Sequence, residues 1–264
     1  MLLRRLTQHL NEQNWFAVAL DFVIVVIGVG FALMAEQWIS DGQKRADLIE
    51  AESNLEDDLA RSYFAAKERI ALAECRKSNL RELGERLLEP GETWEPIHRS
   101  DPDKDSGLAF PAILRSPSRP WGSRIWEAEL GRGTFNALGA ERRGQLDAVF
   151  SQGNRVLRVQ DEIQNAQARL KALGQVTEIS RADRLRYFDI VAEIDQKSFF
   201  IEHIASQIVR SIETIGFDYD EDELSELRER LTAANNSSSA AYGECRKPVV
   251  YPFLEVTTAP DNTP

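Results

Sequence analysis

The sequence predicts an all-α protein, with a single N-terminal transmembrane helix followed by an elongated antiparallel helical bundle. Three observations predict it. Trp15 to Ala35 is an apolar run whose only charge is Asp21. From Ser40 to Leu88 there is no proline, and apolar residues recur at helical spacing. Two further stretches, Ala140 to Leu173 and Ser180 to Ile215, repeat that spacing.

At about 1.5 Å of rise per residue, the apolar run is roughly 31 Å long and matches a hydrocarbon core of about 30 Å. Trp38 suits an interfacial anchor. Cleavage of a signal peptide after Leu33-Met34-Ala35 is the competing reading. The length of the run, Asp21 near its start and the Glu36-Gln37-Trp38 that follows speak against it. The expected organisation is a cytoplasmic leader over 1–14, a transmembrane helix over 15–39, an extracytoplasmic bundle over 40–247 and an extended C-terminal tail over 248–264. Arg4 and Arg5 before the span are matched by Lys44 and Arg45 after it, so basic residues alone do not orient it. The short basic leader on one side and the long acidic domain on the other favour an inner-membrane, single-pass protein with its N-terminus inside and its domain in the periplasm.

On the helix of the span, Asn14, Ala17, Asp21, Gly28, Ala32 and Ala35 share a face. Phe22, Val23, Val26, Ile27, Val29, Phe31 and Leu33 supply the bulky lipid side. Small residues let a second backbone approach, and a carboxyl on the same stripe gains a partner from a facing helix. The expected partners are membrane lipid and, through this face, a second copy or another membrane protein. An equal reading places Asp21 at headgroup water, only about 9 Å along the helix from Trp15.

The run from Asp21 to Trp38, DFVIVVIGVGFALMAEQW, resembles the anchor of a bacterial family of single-span membrane proteins of unknown function. That anchor reads acidic-I-I-L-V-V-I-G-I-L-I-A-L-Q-I-N-N-W. Asp21, Gly28, Ala32 and Trp38 fall on its marked positions, while Met34 and Glu36 replace polar amides. Trp126-Glu127-Ala128-Glu129-Leu130, continuing through Gly133, Phe135, Leu138, Glu141, Leu146 and Phe150, is similar to a helix-turn-helix in the soluble part of such proteins. The resemblance implies a membrane-anchored helical architecture and carries no activity with it.

Outside the span, Ser40-Asp41 offers a helix cap. Leu48, Leu55, Leu59, Ala66, Ile70, Ala73, Leu80, Leu83 and Leu87 then form one apolar stripe, ended by Glu89-Pro90-Gly91. Residues 90–120 hold Pro90, Pro96, Pro102, Pro111, Pro117 and Pro120 and form a long proline-rich connection. Its apolar patch, Leu108 to Leu114, is expected to pack on the bundle. Two short helices break around Gly131-Arg132-Gly133, which reads as a turn, since neither a preceding strand nor a lysine completes a phosphate loop. The next long helix buries Leu146, Val149, Phe150, Val156, Leu157, Ile163, Leu170 and Leu173. The one after it opens on a capping box at Ser180 to Asp183, buries Val191, Ile194, Ile201, Ala205, Ile208, Ile212 and Ile215, and stops at Gly216. A shorter helix follows from Glu221 to Ala234, then a polar hinge from Asn235 to Ser239.

The chain carries a formal charge of -11. Setting aside the first 39 residues removes Arg4 and Arg5 against Glu12, Asp21 and Glu36, which leaves -10. Such a surface repels nucleic acid. The two cysteines, Cys75 and Cys245, stand in matching Glu-Cys-Arg-Lys tetrapeptides. In an oxidising compartment they can pair, closing a loop of about 170 residues worth on the order of 4 to 5 kcal/mol in the chain-entropy model.

No residue pattern points to catalysis, a cofactor or a metal. His9, His98 and His203 have no CxxC to assist, and the carboxylates from Asp220 to Glu223 lack the ligand spacing of a calcium loop. Paired carboxylates such as Glu56-Asp57-Asp58 read as solvated helix faces. Trp94, Trp121 and Trp126 read as core or loop anchors ahead of ligand contacts. The expected function is a non-enzymatic interaction or assembly module. A ligand-sensing bundle is the alternative, and an envelope enzyme comes behind it.

Overall fold

A computed structural model describes residues 15–97, 114, 117–216, 221–242, 245–251 and 256–258. The described chain is all-α apart from two short strands. Its helices are α1 (Trp15–Leu88), α2 (Arg124–Arg132), α3 (Ala140–Arg169), α4 (Arg181–Ile215) and α5 (Glu221–Tyr242). Single 3₁₀ turns follow α2 at Thr134–Ala137 and α3 at Lys171–Gly174. Contacts divide the chain into two compact units, Met1–Glu52 and Ser53–Pro264.

In the first unit α1 carries an 18-residue window of mean hydropathy 2.1, none of it buried against protein. By length and composition this helix is long and apolar enough to cross a membrane. Trp38 at its polar end is 83% exposed. Ser40-Asp41 is no helix start, because α1 runs through it without interruption.

In the second unit α1 is buried on more than one stripe. Leu55, Leu59, Ala66, Leu80, Leu83 and Leu87 are in the core, and so are Tyr63, Phe64, Ala65, Ala71 and Leu72 from other faces. The middle of the helix is therefore surrounded. α3 and α4 pack along one another. α3 contributes Leu146, Val149, Phe150, Val156 and Ile163, and α4 contributes Val191, Ile194, Ile201, Ala205, Ile208 and Ile212. Leu157 and Ile215 are only half-buried.

Helix ends follow local chemistry. The Ser123 hydroxyl accepts from the Trp126 N–H at 2.9 Å and opens α2. Gly133, at φ 81°, turns α2 off while its N–H reaches the Glu129 and Leu130 carbonyls. Ser180 caps α4 by accepting from the Asp183 N–H at 3.1 Å. α3 ends four residues short of the expected Leu173, tightening into the 3₁₀ turn that still buries Leu170 and Leu173.

The polar hinge expected at Asn235 to Ser239 is instead helix, since α5 continues to Tyr242. The reason is tertiary. Asn235 and Ser238 are buried and each has a charged partner across the interior, which outweighs their weak helix propensity. In the C-terminal segment Val249–Tyr251 pairs antiparallel with Val256–Thr258, with Val250 opposite Thr257. Val249 and Tyr251 are buried. Most of the proline-rich connection, His98 and the Leu108 to Ile113 patch included, lies outside the described residues; Leu114 is in the core.

Candidate functional site

The most unusual feature of the second unit is a band of charged side chains within the core. Glu68 is fully buried. Arg119, from the end of the proline-rich connection, donates Nε and Nη2 to its two carboxylate oxygens at 2.7 and 2.8 Å. The Ser238 hydroxyl of α5 donates to the same carboxylate, and the Arg119 guanidinium lies 5.5 Å from the Phe64 ring centre. Hydrogen bonding to Glu68, outweighing partial burial, raises the Arg119 pKa.

Arg69, next along α1, donates Nη2 to the Ser198 hydroxyl of α4 at 3.4 Å. Burial, with Arg76 nearby, pushes its pKa down to about 10 even though Glu202 pulls the other way. Two turns further, Arg76 donates Nε to Glu202 at 2.9 Å, with Asp195 at 3.6 Å from its Nη1. Arg246 donates to Ser239 at 2.9 Å and to the side-chain carbonyl of Asn235. Burial lowers its pKa. Tyr251 is fully buried, its ring 6.0 Å from that of Tyr63, and its hydroxyl is an orphan among the described residues. Burial raises the pKa of both tyrosines, and both are neutral at physiological pH.

The band is fastened from outside by a disulfide between Cys75 and Cys245, with Cα atoms 5.3 Å apart. The Lys247 N–H donates to the Ala71 carbonyl at 3.1 Å, so the backbone after the bridge lies on α1. Both arginines of the matching tetrapeptides, Arg76 and Arg246, are thereby brought into the interior.

The tryptophans serve as anchors. Trp94 is buried, with the Arg86 and Arg184 guanidiniums 4.8 and 5.4 Å from its ring centre, and donates Nε1 to the Leu173 carbonyl at 2.9 Å. Trp121 donates Nε1 to Gln160 at 3.2 Å. Trp126 stacks on Phe135 and Phe150. A Cβ on Gly153 would lie 2.2 Å from the Trp121 carbonyl oxygen, so the closeness of this segment to α3 depends on glycine there.

Of the helix-association face, Asn14 lies outside the described residues and Ala17 is in α1 with its side chain undescribed. Asp21, Gly28, Ala32 and Ala35 are exposed along α1, and a Cβ on Gly28 would meet nothing within 4 Å. His203 is on an exposed face of α4, 3.0 Å from the Gln207 side-chain nitrogen. Among the described residues no group of three or more His, Cys, Asp or Glu is placed to hold a metal ion.

The buried band was not expected from the sequence. The signal nearest to it was the pair of Cys-Arg dipeptides, whose cysteines the bridge joins. No family model, curated protein or solved structure matches this chain.

Proposed function

We propose that this chain is a membrane-anchored, antiparallel helical bundle of the cell envelope that works as a non-enzymatic interaction or assembly module. In this reading α1 crosses the inner membrane near its start, the N-terminus is cytoplasmic and the second unit is periplasmic. The observation that carries it is the uncovered apolar stretch of α1, on which Asp21, Gly28, Ala32 and Ala35 share one open face. The Cys75–Cys245 bridge supports an oxidising compartment for the second unit. The resemblance of the Asp21 to Trp38 run to the bacterial single-span family supports the same architecture. The face takes a second copy or another membrane protein.

Crosslinking in native membranes tests it. Wild type should give a discrete higher band that Gly28→Ile and Asp21→Leu weaken. Unchanged monomer in all three would count against association. Protection of the second unit from protease added to the outside of spheroplasts would reverse the topology.

A further inference from the structure

The second unit carries a groove of about 370 Å³ between α1 and α5, floored by Ala60, Phe64, Leu227 and Leu231. That is within the range of about 300 to 1,000 Å³ common for small-molecule sites. Arg61, Arg119 and Arg230 line it, with Asp57 the one acid among the lining residues. We propose that this groove binds a long-chain carboxylate, with its apolar tail on the Phe64 and Leu231 floor and its head group on Arg119.

Arg119 is suited to the head group because it is already held in place. Its Nε and Nη2 are committed to the buried Glu68 and its plane lies by Phe64, which leaves the Nη1 edge for a second acceptor. The guanidinium would thus bind an anion with little further loss of side-chain freedom.

The charge behind the groove has the matching sign. Four buried or half-buried guanidiniums, Arg69, Arg76, Arg119 and Arg246, stand among Glu68, Glu202 and the more exposed Asp195, and the buried Asp58 is balanced by its partner Arg61, so the sum stays positive. Arg246 makes its hydrogen bonds to neutral side chains. A net positive interior in a chain of charge -11 attracts one small anionic group at the point where the interior opens, and Arg119 is a member of both the interior band and the groove lining. At the outer rim Arg61 pairs with the buried Asp58 and Arg230 with Asp57; only the second pair is exposed on both sides and rearranges at low cost. The apolar floor selects a hydrocarbon tail over a free inorganic anion.

All groove residues lie in the second unit, so the inference is independent of the proposed anchor. The test uses the full chain in phosphatidylcholine nanodiscs, or in buffer should it prove soluble. It is photolabelled with palmitic acid bearing a terminal diazirine, and labelled peptides are mapped by mass spectrometry. The expected result is labelling of the 53–65 and 221–242 peptides, reduced at least five-fold by excess palmitate, by the Ala234→Phe plug, by Arg230→Glu, and when the probe is the methyl ester. Labelling confined to residues 15–52, or equal labelling by acid and ester, would overturn the proposal.

Discussion

Glu68 and Arg119 meet at two points, with both carboxylate oxygens of a fully buried glutamate engaged by one guanidinium at 2.7 and 2.8 Å. This pair joins the middle of α1 to the end of a connection that began some thirty residues earlier, at Glu89-Pro90. Taking charges out of water is costly, and the pair is tolerable because Ser238 supplies a further donor. Glu68→Gln should therefore cost about 2 to 3 kcal/mol, since it leaves the half-buried Arg119 guanidinium without its counter-charge. Ser238→Ala, which removes one donor, should cost about 1 to 2 kcal/mol. Urea unfolding followed by far-ultraviolet circular dichroism measures both, and equal, small losses would show that the interior is wetter than described.

The disulfide should be the largest single covalent contribution to stability. Its residues are 170 apart in sequence. A loop of that length corresponds to about 5 kcal/mol in the chain-entropy model, and native bridges commonly give about 2 to 4 kcal/mol. Replacing Cys75 and Cys245 together by serine should lower the urea midpoint, and adding reductant should move wild type to the same value without affecting the variant.

Gly153 should be intolerant of even one methyl group. Its added Cβ would sit 2.2 Å from the Trp121 carbonyl oxygen, a backbone atom that cannot swing aside. Gly153→Ala should destabilise by about 1 to 3 kcal/mol despite alanine's better helix propensity. Gly144→Ala on the same helix meets nothing within 4 Å and should be neutral or slightly stabilising. Comparing the two thermal midpoints isolates the packing effect.

Acid should weaken the second unit through Glu213. Burial pushes its carboxyl pKa up, but the Tyr63 hydroxyl and the Lys67 ammonium outweigh it, and the net is below the ordinary 4.5. A folded pKa that is depressed means the contribution is fully present above the unfolded value and lost as pH falls through the folded one. Wild type should therefore lose stability between about pH 5 and pH 3 more steeply than Glu213→Gln. Urea midpoints across that window check it, and parallel profiles would remove Glu213 from the account.

The helices were legible because periodicity and punctuation both act locally. Ser180, Gly133 and Gly216 mark ends that backbone hydrogen bonding itself requires, and each sits at or beside the boundary it suggests. Asn235 to Ser239 misled for the converse reason. Asparagine and serine favour turns when solvated, yet here Arg246 and Glu68, distant in sequence, hold them in helix. The buried band was illegible for the same cause. Glu68-Arg69 on a long helix reads as a solvated face, and only the surrounding of α1 by Arg119, α4 and α5 converts it to interior. The open groove could not be anticipated either, because its lining comes from α1, α5 and Arg119-Pro120, which are far apart in sequence.

A covalent ring of this size has a consequence for degradation. Because Cys75 and Cys245 are joined, a single proteolytic nick anywhere from Arg76 to Glu244 leaves both fragments tethered, and they separate on a gel only after reduction. The clipped protein would stay in one covalent piece under oxidising conditions, so a cut in the long proline-rich stretch would not shed the domain.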